Sequence, residues 1–199
     1  MILPIVAYGD PVLRKVGVEV SKDYPGLDQL IKDMFETMRA SSGVGIAAPQ
    51  VGKAIRLFIV DTTPFVNGER DEDEEDEYTA QEREQLGKLS KAFINATIIE
   101  EEGEIWSFNE GCLSIPKIRE DVYRKPKIYI EYYDADFNFI KETYEGIAAR
   151  VIQHEYDHIE GKLFTDRISP LRRRLLKGKL NDISKGKVSV TYKMRFPNK

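Results

Sequence analysis

The only two histidines of the chain stand four residues apart, in the sequence QHEYDH that begins at Gln153. On a helix, side chains at this spacing share one face with Cβ atoms about 5–6 Å apart, so both imidazoles can reach one metal ion. Glu155, between His154 and His158, would point about 100° away from the first histidine. This direction makes it a poor ligand and a suitable base for a water beside the ion. The pattern predicts a metallohydrolase; the alternative is two histidines hydrogen-bonded within an ordinary helix.

A catalytic metal site of this type needs a third protein ligand. The longer pattern HExxHxxGxxH holds as far as Gly161, but Phe164 occupies its last histidine position. No glutamate occurs after Glu160, which argues against a late glutamate ligand. Asp166 and Asp182 therefore stay open as late carboxylate ligands.

The better candidate for the third ligand is Cys112, the only cysteine of the chain. A thiolate is a strong ligand for Zn²⁺ or Fe²⁺, although a lone cysteine is often only a small buried hydrophobe. Its surroundings, Glu110-Gly111-Cys112-Leu113-Ser114, indicate a polar and exposed loop. A single cysteine also fits a reducing compartment, since no internal disulfide can form.

A third unusual stretch, SGVGIAAPQ, runs from Ser42 to Gln50. Its glycines and alanines can contribute little to a hydrophobic core. They would instead allow the backbone to approach another group closely, and a plain loop is the alternative.

Together the three stretches resemble the peptide deformylase family. Residues 43–50 (GVGIAAPQ) match the family motif GxGxAAxQ, and residues 110–114 match EGCLS in full. The third motif, QHExDHL, is matched with Ile159 in place of leucine. Order and spacing agree, and the similarity extends from the sequence DPVLR at Asp10 to LFTDR ending at Arg167.

The resemblance implies removal of the formyl group from the N-terminal formyl-methionine of nascent proteins. It implies one divalent ion held by Cys112, His154 and His158; Fe²⁺ is expected, and Zn²⁺, Ni²⁺ or Co²⁺ are possible. Glu155 would move the proton, and the donors for the developing oxyanion would be the Gln50 side-chain amide and the Leu113 backbone N–H.

The substrate contacts are expected on the same elements. The resemblance implies that backbone groups of Val44 and Gly45 hold an extended peptide. Ile147 and Val151 lie seven and three residues before His154, so they should share its helix face and form an apolar methionine pocket. Two further residues, Phe108 and Arg119, are expected to contact substrate.

The strands of the sequence come in hairpin-like runs, which predicts an α+β class with mainly antiparallel sheet. The resemblance implies that these antiparallel β-sheets are packed around the HExxH helix. Residues 27–38 have the apolar spacing of an amphipathic helix, and residues 146–160 form the HExxH helix, ended by Gly161. Strands are predicted at 56–61, 92–100, 104–108 and 127–133, with a partner strand ending near Tyr144. A C-terminal helix opening at Pro170 and a final alternating strand, 188–196, complete the expectation.

The chain has 199 residues, 41% hydrophobic, which suits a single domain. Residues 67–88, with a wholly acidic run at 71–77, are expected to form a mobile insertion, or alternatively an acidic docking site. Residues 167–199 contain eleven Lys/Arg and one acid, whereas the whole chain has a net charge of −4. This basic segment could contact the ribosome or another polyanion, or be only a solvated helix face.

No apolar run is long enough to span a membrane and no secretory signal is visible, so we expect a cytoplasmic protein. Neither DNA nor a membrane is expected among its partners. Two further functions stay open from the residues alone. A zinc endopeptidase or other amide deacylase would not need Cys112. A non-catalytic protein bound to the ribosome or RNA would use the basic segment and a structural metal.

Overall fold

The fold is centred on an antiparallel five-stranded sheet and the helix that carries both histidines. The computed structural model describes residues 1–67 and 78–197. The helices are α1 (Leu27–Ala40), α2 (Pro64–Asn67), α3 (Ala80–Lys88), α4 (Gly146–Ile159) and α5 (Pro170–Ser184). The strands are β1 (Ile5–Val6), β2 (Gly45–Ala47), β3 (Leu57–Asp61), β4 (Ser90–Glu102), β5 (Trp106–Cys112), β6 (Ile115–Arg124), β7 (Lys127–Tyr133), β8 (Phe139–Glu145) and β9 (Met194–Arg195).

The main sheet has the strand order β2-β3-β4-β7-β8, and every neighbouring pair in it is antiparallel. Strands β5 and β6 form a separate antiparallel hairpin. Strands β1 and β9 pair in parallel, two residues each. The predicted α+β class with mainly antiparallel sheet is therefore confirmed.

Alternate residues of β3 face opposite sides of the main sheet, as the two-residue period of a strand requires. Leu57 and Ile59 pack in a cluster with α1, whereas Phe58 and Val60 pack in a cluster with α4. On the α4 side, the rings of Phe58 and Phe93 stack with centroids 4.8 Å apart. The sheet is thus buried on both faces, which fixes α4 firmly against it.

Helix α4 is almost entirely buried from Ala148 to Ile159, and only the edge around His154 and Tyr156 is partly exposed. Its predicted end is confirmed: Gly161 has φ +68°, and a Cβ there would lie 2.6 Å from the Arg14 carbonyl oxygen. The backbone at Arg14 thus packs closely against the C-terminal end of α4, near His158.

The last part of the segment 67–88, which the sequence predicts to be a mobile insertion, has regular structure. Residues 80–88 form α3, which Thr79 and Glu82 start with reciprocal side-chain to backbone hydrogen bonds. Leu86 is 1% exposed in the core with α4. The buried Leu86 side chain and the hydrogen bond from the Thr62 hydroxyl to the Leu86 carbonyl, at 2.7 Å, attach this segment in spite of its polar composition. The acidic run at 71–77 lies outside the described residues.

The C-terminal segment also differs in part from expectation. Helix α5 begins at Pro170, as predicted, with the Ser169 side chain accepting a hydrogen bond from the Arg172 N–H. The final strand is much shorter than the predicted 188–196: only β9 pairs, because its one partner, β1, is two residues long. In the described part of the chain, no helix has the length and apolar character needed to cross a bilayer.

Candidate metal centre

The three motifs meet at one point of the structure. One donor atom each of Cys112, His154 and His158 lies within 4.8 Å of the other two. The Cys112 Sγ is 3.3 Å from the His158 Nε2. Two such ligands on a tetrahedral Zn²⁺ would be about 3.6 Å apart, given bonds of about 2.3 and 2.05 Å. The donor set therefore fits a divalent transition metal.

No carboxylate joins this donor set within the described residues. Asp166 instead pairs with Arg14 at 2.5 Å, and its carboxylate accepts a hydrogen bond from the Leu163 N–H. The late-carboxylate alternative is therefore wrong for Asp166, and Asp182 lies on the exposed side of α5.

The three donors come from two elements, helix α4 and the turn of the β5–β6 hairpin. His154 and His158 project from adjacent turns of α4, with ring centroids 5.2 Å apart. Cys112 ends β5, at the bulge where the β5–β6 hairpin turns. Gln50 joins the turn to the segment after β2: its Nε2 donates to Cys112 Sγ at 3.4 Å and to Ser114 Oγ at 3.3 Å, while its Oε1 accepts from the Ala47 N–H.

Glu155 lies beside the donor set and is 4% exposed. Its Oε2 is buried and has no hydrogen-bond partner among the described residues. A buried carboxylate oxygen without a partner is costly, so this atom needs a water or a substrate proton near the metal site. A Cβ on Gly45 would lie 2.5 Å from Glu155 Oε1, so the glycine of β2 makes room for the carboxylate.

Behind the candidate ligands lies a group of ion pairs, which we call the charge cluster: the buried residues Glu110, Arg124, Arg150 and Asp157, and Arg167, whose side chain is 38% exposed. The Glu110 carboxylate accepts from His154 Nδ1 at 2.9 Å and from two nitrogens of Arg124 at 2.7 and 2.9 Å. The bond to Nδ1 leaves the Nε2 of His154 free to bind a metal. Arg150 also donates to Glu110, while Arg124 and Arg167 donate to Asp157.

The sequence indicated that Glu110 and Ser114 lie in an exposed loop, and this expectation is wrong. Glu110 is 4% exposed and Ser114 is fully buried. The polar composition of the loop reflects the charge cluster and the Gln50 contact rather than solvent. Arg124 and Arg150, which complete the cluster, were missed because a single arginine in a strand or helix carries no signal of burial.

The surrounding charges favour a thiolate at Cys112. Enclosure alone would raise the pKa of the thiol, but the charges and hydrogen bonds of His158 and His154 outweigh it and lower the pKa of Cys112 to about 5. Burial raises the pKa of Glu155 to about 7, against the opposing effect of both histidines. The thiolate is the form that binds metal, and a carboxyl that titrates near neutrality can both take and return a proton.

A cleft of about 740 Å³ opens over the metal centre. Five of the six predicted substrate residues line it, and Ile147 is the exception, packed instead against the core with the main sheet. Ile147 lies one turn too far from the ligands to reach the cleft. The residues that line it as expected are Val44, Gly45, Phe108, Arg119 and Val151.

Strand β2 is an edge strand of the main sheet, because β3 is its only partner within residues 1–67 and 78–197. Gly45 pairs with Val60, and the Val44 carbonyl accepts a hydrogen bond from the Asp61 N–H. The other edge of β2 borders the cleft. An exposed edge of this kind can pair with an extended peptide.

An α+β fold around an HExxH helix, with a cysteine sulfur beside both imidazoles, is the arrangement expected of a metal-dependent hydrolase. The family model for polypeptide deformylase matches residues 2–174. The chain therefore belongs to the polypeptide deformylase family.

Individual relatives agree with this assignment over the full length. A peptide deformylase of Christiangramia forsetii is 59% identical over 198 residues, which cover 100% of this chain and 97% of the relative. A peptide deformylase of Flavobacterium johnsoniae is 58% identical, covering 98% of this chain and 96% of the relative. The crystal structure of the Thermus thermophilus enzyme superposes with a TM-score of 0.77 at 34% identity, covering 94% of this chain and 99% of that one.

Proposed function

We propose that this chain removes the N-formyl group from the formyl-methionine of nascent proteins and releases formate, with the residues of the metal centre in the roles given below. Membership of the deformylase family supports the reaction. The observation that carries the assignment of residues is the meeting of Cys112, His154 and His158 beside the buried carboxylate of Glu155.

In this proposal Cys112, His154 and His158 hold one divalent ion. When bound, the ion supplies a Lewis acid that polarises the formyl oxygen and makes water easier to deprotonate. Glu155 takes a proton from the attacking water and later delivers it to the departing amine. The buried, unpartnered Oε2 of Glu155 supports this role.

The oxyanion that develops on the formyl group needs donors fixed in advance. We assign this role to the Gln50 amide and the Leu113 N–H. The position of the Gln50 Nε2, 3.4 Å from Cys112 Sγ, supports the first assignment, because it brings an N–H to the edge of the metal site.

The peptide would pair with the free edge of β2 at Gly45 and with the backbone of the preceding residue, Val44, whose carbonyl is already bonded to the Asp61 N–H. The methionine side chain would enter between Phe108 and Val151, both of which line the cleft. Arg119 is an exposed cation at the rim, tied to Asn109 by a 2.8 Å hydrogen bond. Ile147 is not assigned a substrate contact.

We propose Fe²⁺ as the ion used in the cell, with Zn²⁺, Ni²⁺ and Co²⁺ as alternatives, because thiolate and imidazole ligands suit all four. We also propose that the enzyme works in the cytoplasm, where formylated chains emerge. Metal analysis of protein purified without oxygen, compared with aerobic protein, would distinguish Fe²⁺ from Zn²⁺.

The test of function is formate release from formyl-Met-Ala-Ser by protein loaded anaerobically with Fe²⁺ or Ni²⁺. Rapid release is expected from the natural chain and none from the Cys112→Ala variant. An unformylated peptide of the same sequence should stay intact. Cleavage of that peptide, without formate release from the formylated one, would favour the endopeptidase instead.

Helix α5 supports a second proposal, that the basic segment 167–199 contacts ribosomal RNA. Arg174 and Lys177 are exposed on α5, whereas Leu176 and Leu180 are buried beneath. Deleting the helix would thus damage the core, and charge reversal is the better test. The pair Arg174→Glu and Lys177→Glu should weaken salt-sensitive ribosome binding, and the exposed pair Lys22→Glu and Lys32→Glu should not. Equal binding by both double variants would refute the contact.

A further inference from the structure

The segment between α5 and β9 lies along one side of the substrate cleft. Residues 189–192, which we call the C-terminal wall, line it. They follow residue 174, where the match to the family model ends, and belong to none of the three motifs. Val190 and Tyr192 are half-buried, while Ser189 and Thr191 are exposed.

The wall is anchored on both sides. Before it, Ile183 of α5 is 3% exposed in a core cluster. After it, β9 pairs with β1, and the Arg195 guanidinium lies against Gly52 and 3.7 Å from the Asp10 carboxylate. A short segment fixed at both ends keeps a defined position beside the cleft.

Tyr192 connects the wall to the metal-binding turn. Its hydroxyl donates to the Leu113 carbonyl oxygen at 2.8 Å, across 79 residues of sequence. Leu113 follows the ligand Cys112 and carries the N–H assigned to the oxyanion. On the other side of the same turn, the Tyr8 N–H donates to the Ser114 carbonyl at 2.8 Å. The turn is thus held by contacts that come from both ends of the chain.

The geometry also indicates which part of a substrate passes the wall. Gly45 of β2 adjoins Glu155, at the reacting end of the cleft. Gly43, two residues earlier, adjoins Leu113: a Cβ there would lie 2.9 Å from the Leu113 Cδ1. A peptide that pairs with β2, reacts beside Glu155 and runs toward Gly43 would pass Leu113, whose carbonyl the Tyr192 hydroxyl holds.

We propose that the C-terminal wall binds the residues that follow the formyl-methionine, and that Tyr192 is a positioning residue. By holding the Leu113 carbonyl, in the peptide group that follows the one carrying the Leu113 N–H, it keeps the backbone of the turn in place. The inference rests on the proposed deformylase function. It assigns to residues 189–192 a part in substrate preference, outside the three motifs.

Tyr192→Phe tests the positioning role, because it removes the hydroxyl and keeps the ring. With formyl-Met-Ala-Ser, kcat should fall about two- to tenfold, the effect of one lost neutral hydrogen bond, while KM changes less. Rates are referred to bound metal, so that misfolded protein does not count. Tyr123→Phe, which alters an exposed tyrosine on β6, is the matched control. An unchanged kcat for Tyr192→Phe would overturn the positioning role, as would a change confined to thermal stability.

Ser189→Asp tests the contact with later residues. The ratio of kcat/KM for formyl-Met-Ala-Lys over formyl-Met-Ala-Glu should rise about two- to fivefold at low salt, because the new charge would face the third residue. Formyl-methionine amide lacks the later residues that would meet the new charge, so its kcat/KM should change by a smaller factor than the ratio does. Ser21→Asp adds the same charge on an exposed serine outside the cleft.

The outcomes separate the two proposals. If the natural chain releases no formate from any of the four substrates, the proposed function fails. If the natural chain is active and Ser189→Asp leaves the ratio unchanged, or changes it no more than Ser21→Asp does, the wall does not bind those residues.

Discussion

Replacing Glu110 by glutamine should severely destabilise the protein, because Glu110 is the anion at the centre of the charge cluster. Its side chain is 3% exposed, and its two oxygens accept four hydrogen bonds, from Arg124, Arg150 and His154. Glutamine keeps the shape but carries no charge, and its NH₂ would face donors. Asp157 would then be the only anion left in the cluster against three arginines.

The magnitude follows from two routes. Each hydrogen bond to a charged group contributes about 1.5–3 kcal/mol, and at least two of the four are lost. Removing one partner of a buried ion pair costs about 3–5 kcal/mol. We therefore expect a loss of about 3–5 kcal/mol, out of the roughly 5–15 kcal/mol that stabilises a typical domain.

The assay is urea denaturation in the presence of a chelator, so that metal binding does not contribute. The signals are circular dichroism and the fluorescence of Trp106, the only tryptophan, which lies 4.5 Å under the Arg150 guanidinium. With a slope of about 2–3 kcal/mol per M, the midpoint should fall by roughly 1–2.5 M.

The matched control is Glu120→Gln, which removes a carboxylate that also binds one arginine through two nitrogens. Its partner, Arg172, has a side chain 53% exposed, so water can replace the lost contact. The midpoint should move by a small fraction of the Glu110 shift. Equal midpoints for Glu110→Gln and the natural chain, or equal losses in both variants, would refute the reasoning.

Three more predictions concern the cleft, the sheet and the metal. Gly45→Ala should lower kcat/KM about a hundredfold, since the new Cβ would push against Glu155. Formate assays would check this, with Gly178→Ala as the control, because a Cβ at that position of α5 would meet no other atom within 4 Å. Burial alone would raise the pKa of Asp61, but hydrogen bonds from Thr63 and Arg39 outweigh it and hold that pKa below its ordinary 3.8. This stabilisation is therefore present above about pH 4 and is lost as pH falls through the folded-state pKa. Asp61→Asn should lower the free energy of unfolding by about 1 kcal/mol at pH 7 and by progressively less in acid. A difference in the urea-derived free energy of unfolding that stays constant from pH 7 to pH 3 would contradict this. Metal at a thousand times its Kd should stabilise the fold by about 4 kcal/mol. The thermal midpoint should then lie roughly 8–16 °C above that of the chelated protein. An equal rise in the Cys112→Ala variant would show that the thiolate is not a ligand.

Much of the fold could be predicted because its signals are local. The apolar face of residues 27–38 and the alternation at 127–133 each lie within one element, and both elements form as expected. The spacing of His154 and His158 works in the same way, since one helix turn sets their separation. The family motifs added Cys112, which spacing alone left open against late carboxylates.

Two strands were hidden by their composition. β2 is three residues long within a glycine- and alanine-rich stretch, and only its pairing with β3 makes it a strand. β6 alternates regularly, but its inward positions include Glu120 and Arg124, so the apolar pattern is broken by the charged residues. Both strands were therefore missed. β6 forms the hairpin with β5 and carries Arg124 of the charge cluster.

Other features depend on contacts between distant residues, which no local pattern contains. The Tyr192 hydroxyl reaches Leu113 across 79 residues, and Arg150 reaches Glu110 across 40. Ile147 shows how a local pattern can also mislead. The helix period places it on the same face as His154, but it packs against the core formed with the main sheet instead of lining the cleft.

The most direct test of the metal centre and its base is Glu155→Gln, assayed for bound metal and for formate release on the same sample. If Glu155 moves the proton and is not a ligand, the variant keeps one metal per chain and loses about 10²–10⁴ in kcat. Full activity in the variant would contradict the role of Glu155 as the base. Loss of the metal would instead identify Glu155 as part of the ligand set, against the triad of Cys112, His154 and His158.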